Sequence, residues 1–260
     1  MPLVLVAVIL GDWWLFAVLG VGLILCGYEY FEMLAAGGYP SYRALGLVCI
    51  AALLIDAWHR FDAGQFVLLA AVIVPPLWEF RRRIHQGFLV SWAATVLGVL
   101  YIGGVGSHLF LLRTLPGELN WLSFTLPRGA VLVIITLFAT WINDTAAYFV
   151  GTTWGRHPFF PEISPKKTWE GAIGGVVGAA IVFGVLTGWL GVHPIVAVAG
   201  GVGVGIAGTF GDLLESLLKR QVGIKDSGSL LLGHGGVLDR LDSMLFTMLF
   251  AYYFFVAVAR

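Results

Sequence analysis

Ser216 to Ser243 gathers four cations (Lys219, Arg220, Lys225, Arg240) and three aspartates (Asp226, Asp239, Asp242) into 28 residues. The whole chain is only 12% charged and 59% hydrophobic, so this stretch concentrates its ionic chemistry. Extended back to Asp212, helical spacing i, i+4, i+7 sets Asp212, Ser216 and Lys219 on one face, with Glu215 beside them. Asp239 and Asp242 stand at i and i+3 where the last apolar run begins. Between these ends Gly223, Gly228, Gly233, Gly235 and Gly236 break any regular element into a loop whose backbone can approach a ligand closely. Carboxylates from two helix ends, with Lys and Arg between them, suit a Mg²⁺ ion bound to phosphates: hard oxygen ligands beside cationic clamps. A merely solvated charged loop accounts for the basic residues. It does not account for Asp212, which follows an apolar run, or for the tight His234-Gly235-Gly236 turn.

Two further polar blocks lie upstream. In Trp141-Ile142-Asn143-Asp144-Thr145-Ala146-Ala147-Tyr148 the aspartate sits well inside an apolar segment. Such a residue near a helix centre costs roughly 2.5–3.5 kcal/mol on insertion scales, so Asp144 is expected to face other helices or a wet cavity. An Asp–Asn pair that only fixes helix packing is the alternative. The second block, Ile163-Ser164-Pro165-Lys166-Lys167-Thr168-Trp169-Glu170-Gly171, reads as a helix start. Ser164 is expected at the cap and Pro165 at the first position. Free backbone N–H groups there, with Lys166 and Lys167, would make an anion site; a plain basic loop is the competing reading.

Other chemistries fit less well. The six histidines are scattered, and His234 has no second His or Cys at zinc-ligand spacing. Cys26 and Cys49 lie in apolar segments and read as buried structural thiols. Ser216 is not set in a nucleophile elbow, and no Walker A sequence occurs. Gly203-Val204-Gly205-Ile206-Ala207-Gly208 satisfies G-x-G-x-x-G literally but lies inside an apolar run, where small residues serve close helix packing. A formal net charge of zero gives no reason to expect a nucleic-acid partner.

The elements that must position these groups are membrane helices. Mean hydropathy is +0.91, and apolar runs near helix-span length recur throughout. The expected fold is all-α, a polytopic transmembrane helical bundle of about nine segments: 2–10, 13–34, 43–58, 64–79, 88–112, 129–150, 170–190, 194–216 and 241–259. The first is too short to cross unaided, and no cleavable signal peptide is expected. The chain divides into N-terminal membrane helices (1–130) and a C-terminal catalytic membrane region (131–260) with loops 151–169 and 217–240. Eleven of the fifteen Lys and Arg fall on the loops around 35–43, 80–87, 151–169 and 217–240, which the positive-inside rule assigns to the cytoplasm.

The run Ser216-x-x-Lys219-Arg220-x4-Lys225-Asp226-x-Gly228, followed by His234-Gly235-Gly236-x-x-Asp239-Arg240-x-Asp242, resembles the signature of the phosphatidate cytidylyltransferases, or CDP-diacylglycerol synthases. The blocks at 143–148 and 164–171 are similar to further motifs of that family, in the same order. One departure is Leu232, where the family usually has Pro or Gly. The first 130 residues match only as a helical membrane region. The resemblance implies that CTP and phosphatidic acid react, with Mg²⁺ required and a second cation as a further expectation, to give CDP-diacylglycerol and pyrophosphate. On that basis Asp212 and Asp239 are expected to hold metal, with Asp144 a third carboxylate. Lys219, Arg220, Lys225 and Arg240 would bind phosphates, with Ser164, Lys166 and Lys167 closing from the other loop. Asp226 and Ser216 belong to the same signature, and His234, Gly235 and Gly236 would offer backbone donors. The expected location is a bacterial inner (plasma) membrane with the site facing the cytoplasm, and a homodimer through glycine-rich helices is a further expectation. A CTP-dependent lipid kinase or an archaeal-type lipid cytidylyltransferase, and a transporter with charged gating loops, are the rival readings. The full His-Gly-Gly-x-x-Asp-Arg-x-Asp run argues against the first, and the confinement of most ionisable groups to loops against the second.

Overall fold

The computed structural model describes residues 2–81, 86–121, 124–228 and 235–258. Helices occupy every expected segment: α1 (Pro2–Leu10), α2 (Trp13–Ala36), α3 (Arg43–His59), α4 (Gly64–Glu79), α5 (Phe88–Arg113), α6 (Arg128–Trp154), α7 (Trp169–Gly188), α8 (Pro194–Gln221) and α9 (Leu238–Val258). The fold class is all-α, and the chain is a polytopic membrane protein. Among the described residues six helices, α2 and α5 to α9, are long and apolar enough to cross a membrane. The other three are shorter, and α1, at 1.5 Å per residue, reaches only about 13 Å. One element was not foreseen. Between α5 and α6 an antiparallel pair, β1 (Glu118–Trp121) and β2 (Phe124–Pro127), matches Leu119 with Leu126 and Asn120 with Thr125. The Thr125 hydroxyl donates to Asn120 Oδ1 at 2.8 Å.

The chain forms two compact units, each discontinuous in sequence. The first joins residues 1–111 to 219–241, so the charged segment after α8 belongs with the N-terminal helices. Close packing of α2, α3 and α5 builds its core around glycines. Gly46 lies under the Phe31 ring, and a Cβ at Gly98 would come within 2.5 Å of the Tyr30 ring. The Tyr30 hydroxyl, buried among these helices, donates to the Ala94 carbonyl at 3.2 Å.

The second unit joins 112–218 to 242–260. Helices α6 and α7 meet along Gly171, Gly174, Gly175 and Gly178, which face Ala147, Val150, Asn143 and Ala146. A Cβ at Gly175 would stand 2.8 Å from the Asn143 carbonyl, so only glycine permits this approach. The G-x-G-x-x-G residues lie within α8 as packing surfaces, with Gly203 under Phe250, Gly205 against Val176 and Gly208 against Thr247. Gly211 abuts α9, where an added Cβ would reach the Asp242 carbonyl at 2.5 Å.

Candidate active site

In the second unit, α6 carries Asn143, buried, and Asp144, which is exposed. Asn143 Nδ2 donates to Asp144 Oδ1 at 3.3 Å. The Asn143 Oδ1 atom is buried without a hydrogen-bond partner among the described residues. Asp212 on α8 forms an ion pair with Lys167, and Asp144 lies within electrostatic reach of both charges. One polar cluster therefore unites an aspartate from the 141–148 block, a lysine from the 163–171 block and the aspartate at the head of the charged stretch.

The segment before α7 is built differently from the expectation. Thr168, not Ser164, is the N-cap: the Gly171 N–H donates to its Oγ1 at 3.2 Å. The reason lies in the backbone. Pro158 and Thr168 pair antiparallel, the Phe159 N–H donates to the Lys167 carbonyl at 2.8 Å, and the Trp169 N–H donates to the His157 carbonyl at 2.9 Å. Thr168, held extended at φ −125° and ψ 154°, cannot also be helical, so the helix waits until Trp169. Ser164 instead receives the Lys167 N–H at its carbonyl, 3.2 Å away, in a turn. Glu170 ties this segment down by accepting the N–H groups of Arg156 and His157 at 3.1 and 3.2 Å, and its other oxygen is 2.6 Å from His157 Nδ1. Lys166 is exposed, whereas Lys167 is partly covered beside Asp212.

In the first unit the centre is Asp239, in the first turn of α9. Lys219 Nζ donates to its Oδ1 at 2.7 Å, and both side chains are nearly covered, at 13% and 14% exposure. The Ser227 N–H donates to Oδ2 at 3.1 Å and the Gly236 N–H to the same oxygen at 2.7 Å. The Gly236 N–H, expected as a donor to ligand, is thus taken by Asp239. Both glycines have local reasons. Gly235 has φ of +79°, where L side chains are strained, and a Cβ on Gly236 would collide with the Ser227 hydroxyl. Lys225, Asp226 and Arg240 are exposed, as is Arg220, whose Nη1 donates to the Ile224 carbonyl at 3.3 Å. Ser216 is half-buried on α8. His234 lies outside the described residues.

The three carboxylates expected to bind metal are thus divided, Asp144 and Asp212 in the second unit and Asp239 in the first. Among the described residues no three of His, Cys, Asp and Glu are grouped as a metal site. Asp144 and Asp212 in the second unit nonetheless suit a hard cation, as carboxylate oxygens that are not fully buried.

Reading from sequence missed Glu29. This α2 residue is 2% exposed, and its Oε2 accepts the Leu238 N–H at 2.8 Å and the Ser227 hydroxyl at 3.4 Å. The signal was present, because a carboxylate inside an apolar run is the same mark that singled out Asp144. Asp242, at the crossing of α8 and α9, and Glu215 are two further buried acids.

Comparison with known proteins bears on the whole chain. The model described as Cytidylyltransferase family matches residues 1–258. A Synechocystis protein named phosphatidate cytidylyltransferase is 34% identical over 270 residues, covering 95% of this chain and 90% of that protein. A Brucella melitensis protein of the same name is 34% identical over 272 residues, 96% of this chain and 91% of its own length. The chloroplastic phosphatidate cytidylyltransferase 5 of Arabidopsis thaliana is 33% identical over 95% of this chain and 67% of its own.

Proposed function

We infer that this chain, which belongs to the cytidylyltransferase family, transfers the cytidylyl group of CTP to phosphatidic acid, giving CDP-diacylglycerol and pyrophosphate in phospholipid biosynthesis. The observation that carries this is the end-to-end likeness to phosphatidate cytidylyltransferases, at 34% identity over 95% of the chain.

The chemistry asks little covalent work of the protein. A phosphatidate oxygen attacks the α-phosphorus of CTP, the bond to the β-phosphate oxygen breaks, and pyrophosphate leaves. The lipid phosphate is already anionic, so no protein nucleophile is needed. The task is to neutralise crowded anions and align them. Lys219, Arg220, Lys225 and Arg240 supply positive charge around the segment after α8, with Lys166 and Lys167 on the loop before α7. Lys219 is held in place by Asp239, and Arg220, Lys225 and Arg240 lie exposed, where phosphate oxygens would meet their charge.

Asp144 and Asp212 would hold Mg²⁺, with Asp239 as a further carboxylate where a second cation binds. A bound cation supplies charge neutralisation on phosphate oxygens that lysines alone do not match. Lys167 pairs with the Asp212 carboxylate and brings a positive charge to the same cluster.

The protein is an integral membrane protein. We place it in a bacterial inner membrane with the reacting groups at the cytoplasmic face. Support comes from the distribution of cations, and it does not require every helix to cross. Loops 35–43 and 80–87 share a side whether α3 and α4 both cross or neither does. On α7 the apolar residues Ile173, Val177, Ile181 and Val185 recur every four positions and are at least half exposed, a stripe suited to acyl chains. Phosphatidate would enter laterally while CTP arrives from water. A homodimer through glycine-rich helices remains part of this proposal.

Purified protein in detergent micelles with CTP, Mg²⁺ and phosphatidate should form CDP-diacylglycerol and pyrophosphate together. Absence of product across varied metal and lipid conditions overturns this reading.

A further inference from the structure

We propose that Glu29 is a positioning residue for cytidylyl transfer, clamping the charged loop into its working conformation from 200 residues away in sequence; this rests on the function inferred above. The clamp is built at one oxygen. Oε2 accepts the Leu238 N–H at 2.8 Å and the Ser227 hydroxyl at 3.4 Å. Leu238 begins α9, so its N–H is one of the donors that a helix start leaves without an intrahelical partner. Ser227 is gripped from two sides, its hydroxyl by Glu29 and its N–H by Asp239 at 3.1 Å. Asp239 in turn holds Lys219 and the Gly236 N–H, so Glu29 anchors the frame on which the reacting cations are carried.

The loop is shaped around this carboxylate. A Cβ at Gly228 would come 2.5 Å from Glu29 Oε1, and one at Gly236 would come 2.6 Å from Oε2. Two glycines of the charged stretch are therefore required by a residue on α2. The other oxygen, Oε1, is buried with no hydrogen-bond partner among the described residues, a state that opposes folding. Packing alone would favour an apolar side chain at that position. The carboxylate is accounted for by what Oε2 holds.

The test compares Glu29→Ala, Glu29→Gln, Gly228→Ala and the Glu29→Ala/Gly228→Ala double variant, each purified in detergent and assayed with CTP, Mg²⁺ and phosphatidate. Displacing reacting groups by an ångström lowers rates on the order of 100-fold, so Glu29→Ala is expected to lose kcat on the order of 10- to 100-fold, with KM for CTP changing less. Amide hydrogen exchange at Ser227 and Leu238 should speed up in the same variant. Glu29→Gln keeps a carbonyl oxygen for the Leu238 N–H and should recover most of kcat. Gly228→Ala pushes on Oε1 and should lower kcat alone, yet add nothing once Glu29 is truncated. A Glu29→Ala enzyme within about twofold of wild-type kcat overturns the proposal. So do unchanged exchange at Leu238 or additive losses in the double variant. Should Glu29→Ala fail to fold, Glu29→Gln and Gly228→Ala decide: full activity in Gly228→Ala is fatal to the clamp. Wild-type protein that makes no product sinks the proposed function instead, and the exchange measurements still judge the clamp.

Discussion

Replacing Asp239 by alanine should release the loop as well as stop turnover. The carboxylate accepts from Lys219 Nζ at 2.7 Å, Gly236 N–H at 2.7 Å and Ser227 N–H at 3.1 Å. Removing one partner of a buried ion pair costs about 3–5 kcal/mol, because the other charge stays desolvated. Lys219 and Asp239 are 13% and 14% exposed, so some water relieves the orphaned lysine and the lower end applies. About 3 kcal/mol corresponds to on the order of 100-fold in the ratio of closed to open loop. Amide hydrogen exchange in detergent reads this directly: the Gly236 and Ser227 amides should exchange about 100-fold faster in Asp239→Ala, while α6 amides are unaffected. Asp239→Asn should fall between, since its amide keeps one acceptor oxygen but sets an NH₂ group against donors. Exchange at Gly236 within about threefold of wild type in Asp239→Ala would refute the reasoning, because the carboxylate would then not be holding the loop.

Removing divalent cation with a chelator should abolish CDP-diacylglycerol formation and Mg²⁺ should restore it, with Asp212→Asn and Asp144→Asn raising the Mg²⁺ concentration required; unchanged Mg²⁺ dependence in both variants would remove them from the metal. Thr168→Ala should destabilise the start of α7 by about 1 kcal/mol in detergent unfolding, whereas Ser164→Ala should be close to neutral. Gly201→Ala drives a Cβ to 2.6 Å from the Ala180 backbone, which cannot rotate away, and should lower stability by about 1–3 kcal/mol. Gly188→Ala meets nothing within 4 Å and serves as its control in the same thermal melts.

Much of the molecule was legible before folding was considered. Hydropathy located the nine helices of the described residues, since a long apolar run in lipid must satisfy its own backbone and only a helix does so locally. The clustering of Lys, Arg and Asp, with glycines between, pointed to the groups proposed for phosphate chemistry. What composition and spacing leave open is which partner each charged group meets. Ser164 was expected to cap α7, yet pairing of 158 with 168 keeps the chain extended and passes the cap to Thr168. Asp239 was expected, from the family resemblance, to hold metal; that Lys219 and two backbone N–H groups surround its carboxylate is set by the fold. Glu29 was passed over as part of a greasy helix. Its partners, Ser227 and Leu238, lie some 200 residues away, and helical periodicity relates only residues within a few turns. Residue types and spacing thus determined the helices and the chemistry; tertiary packing alone decided which carboxylate holds the loop and which stands near Lys167, because those bonds join segments that only the folded chain brings together.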